Sequence, residues 1–288
     1  MLKEYFLLLR IPQWIKNLFV FVPLLFSMNL FDGAYFLTVF KGFIVFCLSS
    51  SLIYIINDII DIEADAAHPV KKLRPLPAGK ISKSSALITA LLIFILIIIS
   101  FFFLPKEFIY YVIGFILLNI VYSFSFKHIV ILDIFSIAAG FTIRVLAGAV
   151  IIAVPVSSWL VLTTMFISLF LGVMKRHSEL IQVSDSETGG TRKVLADYSL
   201  TFTNQMANVA AAGVIICYAL YTVSQRTVSV FQTEDLIYTT PFVVFGIFRF
   251  MYLEYLNNKG ENSTQIMLTD FPMIITVILY HNNYLYHL

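Results

Sequence analysis

Charge is what this sequence has least of. Asp, Glu, Lys and Arg together make up 12% of 288 residues, about half the share that a soluble domain carries. With 59% apolar residues and a mean hydropathy of +0.89, that scarcity excludes an ordinary soluble enzyme and predicts a polytopic membrane protein. The net charge of +2 is too small to suggest a nucleic-acid partner, so the placement of charge matters more than its sum. Cysteine is equally scarce. Cys47 and Cys217 each lie inside an apolar run, which excludes a disulfide framework and leaves them as small packing residues. No small-residue cleavage site follows the charged start Met1–Arg10, so no cleavable signal is expected. Internal repeats and low-complexity segments are missing too, and a single transmembrane domain over 1–288 is expected.

What is present is a succession of apolar runs long enough to cross a bilayer. They predict about nine spans, at 14–31, 36–57, 84–104, 107–125, 129–152, 157–175, 202–225, 236–256 and 269–286, the first interrupted by Pro23. Residues 1–12 read as a short amphipathic helix at the membrane surface. The connections alternate in character. Those at 58–83 and 176–201 hold Lys71, Lys72, Arg74, Lys80, Lys83, Arg176, Arg192 and Lys193, whereas those near 32–35, 105–106, 153–156 and 226–235 hold only Lys106 and Arg226. The positive-inside rule therefore places the N-terminus and both long polar loops in the cytoplasm of a cell with a bacterial-type inner membrane. Two long loops on one side are expected to share a site.

The first of them opens on Asn57-Asp58-Ile59-Ile60-Asp61-Ile62-Glu63-Ala64-Asp65. Aspartates at i, i+3 and i+7 fall on one face of a helix. Stacked carboxylates beside a membrane span are costly without a cation to share them, and Mg2+ suits hard oxygen ligands when phosphates take part. Asp58, Asp61 and Asp65 are thus the candidate Mg2+ ligands, with Asn57 adding a neutral oxygen. A diphosphate substrate is implied, its departure assisted by the metal. Lys72 and Arg74 follow directly, and Arg192 and Lys193 in the second loop can take phosphate charge.

Further polar groups lie where lipid is expected. Asp133 and Arg144 fall in the fifth run, three turns apart and so on roughly one face, as if lining a polar cavity. The small residues around them (Ala138, Ala139, Gly140, Ala147, Gly148, Ala149) predict close helix packing. At the first interface, Gln13, Lys16 and Asn17 share a helical face on which a lipid phosphate can dock. The second loop, Lys175-Arg176-His177-Ser178-Glu179-Leu180 through Arg192-Lys193 to Tyr198, carries a Gly189-Gly190 tip without the phosphate-loop pattern.

Asn57-Asp58-x-x-Asp61-x-x-x-Asp65 after the second span resembles the first aspartate-rich motif of the UbiA-type intramembrane prenyltransferase superfamily, and the likeness extends over essentially the whole chain. It implies an all-α integral membrane protein, a bundle of about nine transmembrane helices around a central cavity open to the cytoplasmic side. Within that superfamily, Arg10-Ile11-Pro12-Gln13-Trp14-Ile15-Lys16-Asn17 resembles the opening of decaprenyl-phosphate phosphoribosyltransferases. So do Tyr122-Ser123 with Lys127, Asp133 with Gly140-Phe141-Thr142-Ile143-Arg144, Pro155-Val156-Ser157-Ser158-Trp159, and Lys175-Arg176-x-x-Glu179-Leu180. Phe248-Arg249-Phe250 and Asp270 fit the same group. The resemblance implies Mg2+, phosphoribosyl diphosphate as donor, polyprenyl phosphate as acceptor, and a product that feeds arabinose-containing envelope polymers. One departure bears on substrate. The aromatic prenyltransferases of the superfamily share a second motif with acids at four-residue spacing, whereas the 176–201 loop holds Glu179, Asp185, Glu187 and Asp197 without that pattern. Arg192 and Lys193 suit the 5-phosphate of a ribosyl donor instead.

The alternative within the superfamily is an aromatic prenyltransferase acting on a 4-hydroxybenzoate-like acceptor in quinone synthesis, with the Phe and Tyr residues shielding an allylic cation. A lipid transporter or membrane scaffold has no use for stacked metal ligands. The charge asymmetry yields a direct test of topology. Cysteines introduced at Ala66 and at Gly189 should both react with an impermeant thiol reagent from the cytoplasmic side only, and labelling of either from outside would overturn the shared-site expectation.

Overall fold

The computed structural model describes residues 1–67, 71–185, 193–257 and 269–286. Among these residues every regular element is helical. Seven helices are long and apolar enough to cross a membrane: α3 (Gly33–Ile60), α5 (Lys83–Phe101), α6 (Lys106–Phe124), α7 (Leu132–Ile151), α8 (Ser158–Asp185), α9 (Leu200–Thr222), and α11 (Thr240–Asn257) with the 3₁₀ turn before it. An eighth arises if the bent N-terminal pair counts as one span, and the short α10 (Gln225–Phe231) follows α9. The last helix, α12 (Phe271–Tyr286), is apolar only over Phe271–Tyr280. The protein is thus an all-helical integral membrane protein, and all nine apolar runs become helices. Seven or eight of them meet the length of a full span among the described residues.

The N-terminal run departs most from expectation. It consists of α1 (Leu2–Leu8), a 3₁₀ helix (Ile11–Phe21) and α2 (Val22–Phe26), with a 48° bend between α1 and the rest. Pro12 and Pro23 stand at the starts of the second and third pieces, where a missing N–H leaves no hydrogen bond unmade. A 3₁₀ helix has three residues per turn. Trp14, Asn17 and Val20 therefore line one side, and Gln13, Lys16 and Phe19 another. Asn17 and Val20 are buried, Lys16 is half-buried and Gln13 is exposed. The α-helical face expected for Gln13, Lys16 and Asn17 does not form, because the turn is tighter than the one that would align them.

The chain divides into two compact units. The first comprises residues 1–126 and 143–155. Its centre is α3, whose start is capped by the Asp32 carboxylate accepting N–H bonds from Ala34 and Tyr35 at 2.8 and 3.2 Å. The 3₁₀ helix, α5 and α6 pack on α3. Val39, Val45, Leu52 and Ile55 join Val20, Leu24, Ile93, Ile97 and Val112 in one apolar core, with Phe46 set edge-on to Phe108 and Phe115. The second unit comprises residues 127–142 and 156–288. There α8 and α9 pack along each other, and α11 packs on α9 and α12. Phe170, Val173, Ala207, Val214, Ile247 and Phe250 are among its core residues.

Small residues let backbones approach, as Gly148 illustrates. A Cβ there would lie 1.9 Å from the Val20 carbonyl oxygen, whereas one at Gly114 would meet nothing within 4 Å. Overpacking typically costs about 1–3 kcal/mol, and a backbone atom cannot move aside as a side chain can. In detergent melts Gly148→Ala should lose stability on that scale while Gly114→Ala should not. Equal melting of the two variants would contradict the close approach.

Candidate functional site

The aspartate stretch is nearly one helix, with a bend in it. α3 ends at Ile60, Asp61 sits at the bend, and α4 (Ile62–Ala67) continues. The Asp61 N–H donates to the Asn57 carbonyl at 2.9 Å and the Asp65 N–H to the Asp61 carbonyl at 2.8 Å. Helical spacing therefore survives the bend, and residues two turns apart still share a side. Asp58 and Asp65 are both buried, at 2% and 3% exposure. Asn57 and Asp61 are half-buried, and Asp61 shares none of the cations that hold the other two.

Those cations come from both sides in sequence. Arg74 donates from one nitrogen, Nη1, to Asp58 Oδ1 at 3.2 Å and to Asp65 Oδ2 at 2.5 Å. Lys71 Nζ lies 3.5 Å from Asp65 Oδ1. Arg10 donates to Asp58 Oδ1 and lays its guanidinium over the Tyr54 ring, 4.5 Å from the centroid. Arg74 is positioned by a knot of backbone bonds just after it: Ala78 N–H to the Arg74 carbonyl, Gly79 N–H to Leu76, and Lys80 and Ile81 N–H to Pro75. Buried Leu76 and Ile81 anchor that knot, and Gly79 supplies its φ of +69°. Arg10 is positioned differently. It holds a left-handed backbone, φ 50° and ψ 44°, at the junction of α1 and the 3₁₀ helix. Non-glycine residues in that region carry strain that surrounding contacts must offset, and here the Asp58 ion pair and the Tyr54 ring are those contacts.

A second set of polar groups lies further along the same unit. Arg144 Nε donates to Asn17 Oδ1 at 2.7 Å, and its guanidinium lies 4.5 Å from the Phe115 centroid. Ser50 also donates to Asn17 Oδ1, at 3.3 Å, and the Asn17 amide points at Cys47 Sγ, 3.4 Å away. Trp14 Nε1 donates to Ser51 at 3.0 Å. Lys16 lies in the field of both Arg144 and Arg10. The first unit thus sets Arg10, Lys71 and Arg74 against two buried carboxylates and holds Lys16 and Arg144 in addition, a balance suited to anionic ligands.

The second unit has a network of its own. Arg176, 1% exposed, donates from Nε to Asp133 Oδ2 at 2.7 Å and from Nη1 to Glu179 Oε2 at 2.6 Å. The Tyr198 hydroxyl donates to Asp133 Oδ1 and accepts the Ile131 N–H, both at 2.7 Å. Burial pushes the Tyr198 phenol up from its ordinary value, and the bond to Asp133 adds to the rise, so the phenol remains a donor at neutral pH. Asp133 and Arg144 do not pair across α7. Each is satisfied by other helices, Asp133 by α8 and Arg144 by the 3₁₀ helix. A buried pair of this kind fixes helix positions, since removing one partner strands the other charge.

Of the residues expected at the site, Asp58, Asp65 and Arg74 come together, and Lys16, Asn17 and Arg144 form a neighbourhood in the same unit. Asp133, Arg176, Glu179 and Tyr198 form the network just described. Asn57, Asp61, Lys72, Gln13 and Tyr122 enter neither set. Lys127 and exposed Lys175 belong to the second unit. Arg192 lies outside the described residues, and Lys193 opens a 3₁₀ helix, Lys193–Asp197. Arg10 and Tyr54 were not among the expected site residues. A lone charge between Leu9 and Ile11, just ahead of Pro12, was the available signal for Arg10.

Among the described residues no group of three or more His, Cys, Asp or Glu is arranged to hold a metal ion. Asp61, half-buried at the bend, lies outside the contacts that Asp58 and Asp65 share. The donor chemistry still fits Mg2+. Two facing carboxylates already share one cationic nitrogen, and Mg2+ is commonly held by one or two carboxylates, with water and substrate phosphates filling its other positions.

Comparison with known proteins gives three findings. The UbiA prenyltransferase family pattern matches residues 18–271. Decaprenyl-phosphate phosphoribosyltransferase of Mycolicibacterium smegmatis is 34% identical over 230 residues, 78% of this chain and 72% of that protein, and its namesake from Mycobacterium tuberculosis is 30% identical over 74% and 72%. A UbiA homolog from Archaeoglobus fulgidus, solved with GPP and Mg2+, superposes with a TM-score of 0.71 at 17% identity, covering 99% of both chains.

Proposed function

This chain belongs to the UbiA prenyltransferase family, and from that membership we propose that it is a Mg2+-dependent pentosyltransferase moving 5-phosphoribose from phosphoribosyl diphosphate to a polyprenyl phosphate. The observation that carries the reading is the charge balance of the first unit. Three cations, Arg10, Lys71 and Arg74, attend two buried carboxylates, and two more, Lys16 and Arg144, lie in the same unit, Lys16 in the field of Arg144 and Arg10. A donor with three phosphate groups and an acceptor with one call for more cations than a prenyl diphosphate and a benzoate carboxylate do. The named relatives, similar over most of both chains, point the same way.

In this reading Asp58 and Asp65, with Asp61 at the bend between them, would hold Mg2+, which would supply charge neutralisation for the departing diphosphate. Arg74, Lys71 and Arg10 bind the phosphate oxygens around it. Arg192 and Lys193 stay as candidates for the 5-phosphate. Lys16 and Arg144, set in membrane-embedded helices, orient the lipid phosphate, whose chain remains in the bilayer. The anomeric carbon develops oxocarbenium character as the C–O bond to diphosphate breaks. The lipid phosphate oxygen forms the new bond, and since it is already ionised near neutral pH no general base is required. The donor enters from the cytoplasm, the side to which the charge asymmetry assigns the aspartate loop.

The test uses purified protein with Mg2+. Labelled phosphoribosyl diphosphate and polyprenyl phosphate should give a labelled lipid and free diphosphate, while a prenyl diphosphate with 4-hydroxybenzoate should give nothing. The opposite pattern would replace this reading with an aromatic prenyltransferase. In the same assay Lys16→Ala should raise KM for polyprenyl phosphate roughly ten- to a hundredfold, the range for a lost hydrogen bond to a charged group, and leave that for the donor nearly unchanged. A shift confined to the donor would place Lys16 on the wrong substrate.

A further inference from the structure

Arg10 and Arg74 occupy an unusual position for substrate ligands, because their guanidinium groups are already engaged. Both donate to the same oxygen, Asp58 Oδ1, and Arg74 bridges from there to Asp65 through a single nitrogen. Both are partly exposed, their side chains at 24% and 32%, while the carboxylates they hold are at 3% and 4%. The acids are therefore fixed and the cations lie on the open side. Each cation also has a tether that keeps it near when it lets go. Arg10 rests on the Tyr54 ring from a left-handed backbone, and Arg74 leads into the knot closed at Gly79. One oxygen cannot serve two guanidinium groups and a small divalent ion at metal–oxygen contact distance together, so the cations and the ion compete.

We propose that Arg10 and Arg74 are exchangeable counter-ions: they neutralise the Asp58–Asp65 pair until a divalent ion takes the carboxylates, and the released guanidinium groups then turn to the substrate phosphates. This rests on the diphosphate reading given above. Two consequences separate it from a fixed ion pair. First, the arginines weaken ion binding when no phosphate is present, although they are part of the site. Second, ion and diphosphate bind cooperatively, each raising affinity for the other by the same factor. Without the arginines or an ion, Asp58 would lose its counter-ions and the buried pair would keep only Lys71, on Asp65, which is destabilising. The counter-ions thus keep the site folded between catalytic cycles.

The experiment uses full-length protein in detergent with Mn2+ as probe and no donor or acceptor, so its outcome is independent of which donor the enzyme uses. Arg74→Gln should melt lower than wild type without Mn2+ and recover most of the loss when Mn2+ is added. Its Mn2+ affinity should exceed that of wild type by about tenfold, and Asp58→Asn in the same background should abolish the gain. Arg10→Gln, which leaves the Arg74 bridge in place, should move in the same direction by less. Adding inorganic diphosphate should tighten Mn2+ binding strongly in wild type and weakly in Arg74→Gln. Equal or weaker Mn2+ binding by Arg74→Gln, or a melting loss that Mn2+ does not repair (failure to fold with Mn2+ present included), would overturn the exchange. A change of donor in the transfer assay, with the Mn2+ results as expected, would overturn only the functional reading.

Discussion

Two carboxylates buried side by side next to a membrane span must share a cation, and the surroundings of Asp58 and Asp65 answer that requirement. The Arg74 nitrogen between them is possible because the chain turns back through a hydrogen-bonded knot after α4. The strained backbone at Arg10 is tolerable because Asp58 and Tyr54 hold its side chain. The bend at Asp61 keeps the two acids on one side while removing the third from their shared contacts. Charge neutralisation in a place of low dielectric thus explains why a sparsely charged protein concentrates its cations here. In the proposed function the same cations bind the substrate phosphates.

The distribution of hydropathy made most of the fold legible beforehand. Apolar runs of bilayer length predict the long helices to within a few residues, since a span in lipid must satisfy its own backbone. The exception is α8, which runs past its expected end at 175 to Asp185 and so carries Arg176 and Glu179, expected in the loop. The first run was harder. The short helix expected over 1–12 is present as α1, whereas the run expected at 14–31 is a 3₁₀ helix that begins at Ile11, beside Pro12, and passes into short α2 near Pro23. The tighter turn then rotated Asn17 away from the side that carries Gln13 and Lys16. A period of 3.6 residues per turn does not hold in this stretch, where the helix winds at three residues per turn.

At the site, the acidic stretch and Arg74 were readable because charge in so apolar a chain has few structural uses. The partners of Asp133 and Arg144 were not. Eleven residues on one helix suggested a common face, yet the hydrogen bonds come from other segments, Arg176 and Tyr198 for one and Asn17 for the other. Pairing across helices depends on packing that one sequence does not reveal. Arg10 was hidden for the same reason. Its partner Asp58 lies 48 residues away, and nothing in its immediate neighbours announces the contact.

The central claim is that the Asp58–Asp65 pair, framed by Arg10 and Arg74, is where the leaving diphosphate is held. The most direct measurement is turnover with Mg2+, phosphoribosyl diphosphate and polyprenyl phosphate for Asp58→Asn, Asp65→Asn and Asp61→Asn, each checked for membrane insertion. A loss of at least ~100-fold is expected for the first two, the scale of removing a metal contact or its charge stabilisation, and a smaller loss for Asp61→Asn. Near-normal turnover of Asp58→Asn and Asp65→Asn in correctly inserted protein would contradict it.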